Sequence, residues 1–508
     1  MKDVIDNSEV DQHLAVLITN SGAVRAVVEA VQGTLGPKGL DCMLVDKFGT
    51  VMVTNDGVSI LRTMDVNHPA ARILISAAEF QEEQVGDGTT TMTLIAGTLI
   101  NEGVDRVIKG VPVVKIIEGI KTGIDNALTL LEKTKVHLDN LENNILDQIA
   151  LIAGRNHREL AGLVVKAARM VGSGELQCMG FKLADQIIAL EGSENLLIQG
   201  TIVDKEPLNQ DMPRKLNQAK IIIFDDALEP QKIENEALGT EAGLTRMLQS
   251  QTELEKNIIK LAELGVNAIF TDRLISEQVE DLLTDLGIIA VQMVSRAEWQ
   301  RLSRFTGARP IKRGTLNRPA ADLQKYLGKA AEVGVDLKFR QIRVMGYPEQ
   351  SFVTLVVGAA TQEVVSERER IAKDAAAAVQ AAWCGGVVPG GGSIELGLAR
   401  KLMELQPRGM VNYGYHCVIE ALKRPMTQIC INAGFNPFEK IEEVLAQDEI
   451  NDTYAYGVNC DDGAIANMTL GGIWDPYDVK YHAIKTAGEV SEAILRINTM
   501  IKMKEDQN

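Results

Sequence analysis

A multidomain α/β protein, helical toward both ends and α/β in the middle, is the expectation raised by three properties of this chain. Its 508 residues exceed the size at which one hydrophobic core stops growing, so roughly three domains are expected. Its apolar fraction of 45% comes from Ala, Val, Ile, Leu and Gly, with aromatics at only 4%, which suits helix-rich packing. From Thr252 to Val294 helical and strand patterns alternate, whereas long helical patterns occupy the regions before and after.

Taken in order, residues 8 to 33 carry the apolar spacing of an amphipathic helix. The turn Thr34-Leu35-Gly36-Pro37-Lys38-Gly39 follows, then two β runs, Cys42 to Asp46 and Val51 to Thr54, around Phe48-Gly49. Pro69 suits the first turn of a helix running to about Gln84, and a second helix opens at Thr89 and ends near Gly103. Further helices fit Val113 to Lys133 and Asn144 to Val171. β-Branched segments appear at Leu196 to Val203 and Lys220 to Phe224.

The alternating stretch reads helix Glu253 to Leu264, strand Val266 to Thr271, helix Glu277 to Leu286 and strand Gly287 to Val294, the pattern of a partly parallel sheet. Ser295 with Glu298 makes a capping box for the next helix. A strand from Ser351 to Gly358 closes this part, and Ser366 with Glu369 reads as a capping box for a helix reaching Cys384. Pro389-Gly390-Gly391-Gly392 then makes a turn. A terminal helix spans Val479 to about Met500, and the charged tail Lys502 to Asn508 is expected to be disordered.

A net charge of -17 argues against a phosphate-backbone binder, which needs clustered Lys and Arg. Cys42, Cys178, Cys384, Cys417, Cys430 and Cys460 form no C-x-x-C pair, so reduced thiols are expected rather than a zinc site or disulfide framework. No signal pattern opens the chain and no uninterrupted apolar run approaches about 18 residues, so a soluble, cytoplasmic protein is expected.

Chemistry concentrates in Val85-Gly86-Asp87-Gly88-Thr89-Thr90-Thr91. Glycines on both sides of Asp87 let the backbone approach a ligand, and a helix starting at Thr89 offers unpaired N–H groups at a positive dipole end. Phosphate fits there, and Mg²⁺ would reconcile it with the carboxylate of Asp87. The ordinary alternative is that Asp87 merely caps the helix. Asn55-Asp56-Gly57 reads as a turn or N-cap, or as a carboxylate that orients water. Asp374, ahead of Ala375-Ala376-Ala377-Ala378, reads as a solvated helix position or as a general base for attack on a γ-phosphate. The P-loop pattern is absent, since the Gly328-Lys329 dipeptide is followed by alanine.

With TLGPKG, TNDG, VGDGTTT, ERERIAKDA, VVPGGG and GGIWDPYDVKYHAIKTA in this order, the chain resembles a chaperonin subunit from residue 20 to 500. The resemblance implies an ATPase that drives protein folding in stacked rings enclosing non-native polypeptides. It implies an equatorial ATP-binding domain (1–141 and 389–508), an intermediate domain (142–208 and 352–388) and an apical domain (209–351). It places Thr34, Leu35, Gly36, Pro37, Asn55, Asp87, Gly88, Thr89, Thr90, Thr91 and Gly391 on ATP, Asn459, Cys460 and Asp461 on base and ribose, and Asp475 on the ribose hydroxyls. Asp87 would hold Mg²⁺, with K⁺ as a further cation. Asp374 matches the catalytic carboxylate and Asp56 a second acid near the attacking water, with hinge closure completing the site.

Within that family, residues from Ala227 to about Ile259 resemble the protrusion of the class with a built-in lid, which implies homo-oligomeric rings with no separate lid protein. Asp475 stands where members often carry Glu, Pro389 precedes the triple glycine, and Gly154-Arg155 replaces a Gly-Lys that senses the γ-phosphate. The chain thus most resembles the built-in-lid group II class, and these departures resemble those of a divergent bacterial group II-like (group III) member. The competing readings are a group I-like chaperonin needing a lid partner, a ring scaffold with a vestigial ATPase, and a small-molecule phosphotransferase. Nucleic-acid and membrane partners are not expected.

Overall fold

The computed structural model describes all residues except 1, 46, 48, 50, 232–239, 348–351 and 500–508. Chain contacts divide it into two compact units. The first gathers Met1–Arg169, Leu176–Asp185 and Arg370–Asn508, and the second Met170–Glu175 and Gln186–Glu369. The fold is a helix-rich α/β multidomain architecture.

In the first unit, six long helices from both ends of the chain share one core: Lys2–Gln32, Pro69–Val85, Thr89–Ile108, Val113–Thr134, Val411–Asn432 and Tyr477–Leu495. Leu17, Val24, Leu74, Leu94, Leu99, Ile120, Tyr415, Val418 and Ile484 are buried in it. Glycine permits the closest crossing: a Cβ on Gly119 would lie 2.1 Å from the Val411 carbonyl oxygen, and one on Gly414 would lie 2.0 Å from that of Ile116. Leu14–Gln32 is long and apolar enough to cross a membrane by length and composition, although Arg25 and Glu29 interrupt it. Here Leu17, Val24, Val27 and Val31 pack into the helical core instead.

The second unit is built on a six-stranded sheet in the order Gly200–Val203, Gln341–Met345, Gly328–Asp336, Lys215–Phe224, Ala268–Thr271 and Ile289–Val291. The last three strands run parallel, as the alternating pattern predicts. The apolar run Ile221-Ile222-Ile223-Phe224 serves both faces, since successive side chains alternate. Ile222 and Phe224 pack with Leu254, Ile258 and Leu261 of the Glu241–Glu263 helix and with Val279 and Leu283 of Glu277–Asp285. Ile221 and Ile223 pack with Leu302 and Phe305 of Arg296–Thr306, whose Ser295–Glu298 capping box is formed.

Several boundaries differ from the sequence expectation, each for a physical reason. The pattern read as one helix from Asn144 to Val171 is two, Asn144–Ala153 and Arg158–Val171, because Arg155 and Asn156 turn left-handed at φ 50° and 63°. The Thr89 helix continues through Gly103 to Ile108: that glycine is a packing site, where a Cβ would lie 3.0 Å from Leu495 Cδ1. Ser366 caps no helix start, because the helix already begins at Gln362 and runs to Gly385. Leu196 to Val203 splits into Leu196–Ile198 and Gly200–Val203, which join different sheets. The terminal helix runs from Tyr477 to Leu495.

The hairpin forms between Cys42–Val45 and Val51–Thr54, while its expected end at Asp46 and its tip residue Phe48 lie outside the described residues. In the segment read as a protrusion, residues 232–239 lie outside the described residues, and the Glu241–Glu263 helix takes up most of the remainder. The tail expected to be disordered also lies outside them.

Candidate functional site

The loop between Pro69–Val85 and Thr89–Ile108 is shaped by two left-handed glycines, Gly86 at φ 68° and Gly88 at φ 80°. Gly88 is the N-cap of the second helix and no side chain caps that end, so the leading amides keep their positive field. Asp87 is therefore not the cap; its Oδ1 accepts from the adjacent Gly88 amide at 2.6 Å. Gln81 anchors the loop from beneath, its amide donating to the Asp87 carbonyl at 3.0 Å and to the Val479 carbonyl at 3.3 Å.

Both glycines also permit close approach. A Cβ on Gly86 would lie 2.6 Å from Ala377 Cβ, so the loop sits against the helix that carries Asp374. A Cβ on Gly57 would lie 2.5 Å from Thr90 Oγ1 and 3.0 Å from Thr89 Oγ1, which brings Asn55-Asp56-Gly57 to the same helix start. Thr89 and Thr91 are buried, and Thr90 is the half-buried member of the three. Asp56 does cap the Gly57–Thr63 helix, accepting from Ser59 N at 3.0 Å, and its other oxygen faces Arg370.

Arg370 joins the two acids proposed from sequence. Its Nη1 lies 3.7 Å from Asp56 Oδ1 and 3.6 Å from Asp374 Oδ2, while Arg155 Nη2 lies 3.9 Å from Asp374 Oδ2. The break at Gly154–Asn156 is what delivers Arg155 there, since a continuous helix would not turn at that position. Burial raises the Asp374 carboxyl well above its ordinary range; Arg370 opposes this, and Asp56, Asp87 and Glu82 add to it. Glu82 is pushed up to about 7 by burial and then by Asp56 and Asp87, against Arg62 and Arg370. Asp87 keeps solvent access as a residue, yet the chain around its carboxyl raises it first, with Asp475 and Asp56 adding and the Gly88 amide and Lys480 opposing.

The remaining residues that the resemblance assigns to a nucleotide form two further groups. Val387–Pro389 pairs antiparallel with Trp474–Pro476, which sets Gly390 beside Asp475; a Cβ on Gly390 would stand 3.0 Å from Asp475 Oδ1. Gly391, at φ 68°, faces Met468. Lys480 Nζ pairs with Asp475 Oδ2 at 2.8 Å and Glu395 Oε1 at 2.7 Å. The Thr34–Pro37 turn meets the Asn459–Asp461 loop through Lys38 Nζ, 2.6 Å from Asp461 Oδ1. Asn432 Nδ2 donates to the carbonyls of Gln32 and Leu35 and fixes that turn. Asn459 Oδ1 accepts from Asp461 N at 3.0 Å, and Cys460 is half-buried.

Sequence reasoning missed Glu82, Arg370, Glu395 and Lys480. Arg370 precedes Asp374 by one helical turn, a spacing that puts both on one face. Glu82 is an acid in the last turn of a helix, where the dipole disfavours it. Among the described residues no three His, Cys, Asp or Glu groups form a metal cluster. The single carboxylate of Asp87 still fits Mg²⁺, a cation that takes one or two carboxylates and completes its octahedron with water and phosphate oxygens.

A model of the TCP-1/cpn60 chaperonin family matches residues 27–505. Thermosome subunit alpha of Halobacterium salinarum is 34% identical over 502 residues, covering 95% of this chain and 87% of that protein. The thermosome subunit of Methanopyrus kandleri is 33% identical over 511 residues, covering 96% and 92%. A crystal structure of a group III chaperonin in the open state is similar at a TM-score of 0.90 and 41% identity, covering 97% of this chain and 100% of that one.

Proposed function

This chain belongs to the TCP-1/cpn60 chaperonin family, and on that premise we propose that the acids around Val85–Thr91 are where it hydrolyses ATP. It is an ATP-dependent chaperonin subunit, and its enzymatic activity is that of an ATPase. The observation that carries the proposal is the convergence of Asp374 and Asp56 on Arg370, beside an uncapped helix N-terminus and Asp87.

In this reading the amides opening the Thr89–Ile108 helix and the Thr90 hydroxyl take phosphate oxygens, and Gly86 and Gly88 let the backbone come close. Asp87 holds Mg²⁺, which when bound would neutralise charge on the phosphates. Asp374 accepts a proton from the attacking water, and Asp56, one oxygen of its carboxylate fixed by the Ser59 amide, orients that water. Arg155 reaches the γ-phosphate from beside Asp374. Thr34, Leu35, Gly36, Pro37, Asn55 and Gly391 line the nucleotide, Asn459, Cys460 and Asp461 take the base, and Asp475 takes the ribose hydroxyls. K⁺ is the further cation of this reading.

Chaperonins of the thermosome type assemble into rings and bind unfolded polypeptides. For this chain the proposal is stacked homo-oligomeric rings in the cytoplasm, three functional domains divided near residues 141, 208, 351 and 388, and a lid built from residues near 227–259 rather than a separate protein. The net charge of -17 supports protein clients over nucleic acid. The test is Asp374→Ala: ATP binding persists while turnover falls by about 10²- to 10⁴-fold, the usual contribution of a general base. Turnover at the wild-type rate would remove Asp374 from the chemistry.

A further inference from the structure

Lys480 stands in the first turn of the Tyr477–Leu495 helix, where a cation opposes the helix dipole. It is buried, and its Nζ lies 2.7 Å from Glu395 Oε1 and 2.8 Å from Asp475 Oδ2. Exposure rises along the three side chains, from 0% at Glu395 through 9% at Lys480 to 22% at Asp475, so the chain of charges leads from the core to the nucleotide side. Glu395 itself sits in the first turn of Ser393–Glu404, directly after the Gly390–Gly392 turn.

Stability does not call for this arrangement. Apolar side chains of similar volume commonly match or exceed a buried ion pair, because desolvating the charges costs several kcal/mol each. The other oxygen of Glu395, Oε2, is buried without a hydrogen-bond partner. Against the burial that would lower it, Asp475 and Glu395 hold the Lys480 ammonium above the ordinary lysine range, which favours the cation.

We propose that Lys480 is a positioning residue for the nucleotide: it holds Asp475 by Oδ2, leaving Oδ1 against Gly390 for the ribose hydroxyls, while Glu395 holds Lys480. The inference rests on the reading of Asp475 as the ribose contact. It assigns the Gly390 side of the site a specificity for ribose that depends on a residue never touching the sugar.

The test compares the affinities of the assembled protein for Mg-ATP and Mg-2′,3′-dideoxy-ATP by calorimetry. The wild type should prefer ATP by about tenfold or more, the range of hydrogen bonds to a charged group. Asp475→Asn and Lys480→Met should each collapse that preference to within about threefold, with dideoxy-ATP affinity nearly unchanged, and Lys480→Arg should retain part of it. If Lys480→Met fails to fold, Glu395→Leu combined with Lys480→Met removes the stranded carboxylate and carries the same comparison. Loss of stability with the ATP preference intact in Lys480→Met, or in its combination with Glu395→Leu, would overturn the inference and leave Asp475 in its role. Absence of any preference in the wild type, or its survival in Asp475→Asn, would overturn the ribose reading first and the inference with it.

Discussion

Placing an alanine at Gly86 tests the contact on which the site depends. Gly86 has φ 68°, and a Cβ there would lie 2.6 Å from Ala377 Cβ on the helix that bears Asp374. An L-residue in the left-handed region costs roughly 1–2 kcal/mol. Two methyl carbons prefer about 3.5–4.0 Å, so the overlap forces a shift of about an ångström, and overpacking of this kind costs about 1–3 kcal/mol. Gly86→Ala should thus lose about 2–5 kcal/mol, or move the loop and take Asp87 with it. Ala377→Gly alone should lose about 1 kcal/mol of helix propensity. Combined with Gly86→Ala it should return the overlap energy but not the backbone strain, so a double-mutant cycle in chemical denaturation should show a favourable coupling of about 1–3 kcal/mol. ATP turnover, measured alongside, should recover partly in the double variant. Additivity within about 0.5 kcal/mol would refute the packing of this loop on the Asp374 helix.

Three other outcomes are expected. Asp87→Asn should weaken Mg-ATP binding by tenfold or more, on the order of one charged contact, while improving or sparing binding of metal-free ATP, and equal loss of both in titration calorimetry would reassign Asp87. Asp448 is buried and pushed up to about 6 by burial, with Tyr456 N donating to it. Because an acid raised on folding penalises the native state above its unfolded pKa, the penalty is absent below about pH 3.8 and complete above about 6, at an upper bound of about 3 kcal/mol. Asp448→Asn should therefore gain stability relative to wild type as pH rises through that window, and a pH-independent difference in denaturation midpoints would contradict the assignment. Deleting Glu234–Gln249 should preserve ATP turnover and abolish confinement of a non-native client, whereas normal confinement would point to a separate lid partner.

Much of this is legible in the chain because local chemistry and tertiary context agree. Gly86 and Gly88 announce a turn that only left-handed residues complete, and Pro69 announces the helix before it. The Ile221–Phe224 run reads as a strand buried on both faces, which it is. The break at Arg155 and Asn156 is only half legible: apolar spacing continues across it and arginine is a good helix former, whereas Gly154 at the C-cap and an asparagine that tolerates the left-handed region are stop signals. The surroundings, where Gly154 approaches Ala375 and Arg155 meets Asp374, add to them. At Asp374 the local sign is its poor helix propensity ahead of the alanine run, which leaves a solvated position and a general base both open. Its meaning comes from Asp56 and Arg370, one of which lies far back along the chain.

The charges around the loop explain why nucleotide and metal should act there as one ligand. Asp56, Glu82, Asp87 and Asp374 outnumber the guanidiniums of Arg155 and Arg370, and burial or neighbouring acids raise Asp374, Glu82 and Asp87. A bare polyphosphate would add negative charge to acids that already repel one another. The helix N-terminus favours it, by about 1 kcal/mol at an open end, and the two guanidiniums are shared with the acids. On the proposed reading, a divalent cation held by Asp87 would reverse the balance, supplying positive charge for the phosphates and favouring ionisation of the neighbouring acids. Asp374 would then be in the ionised form that a general base requires. The same reasoning gives Arg370 its place, since it attracts both Asp56 and Asp374 and keeps two like charges on one side of the loop.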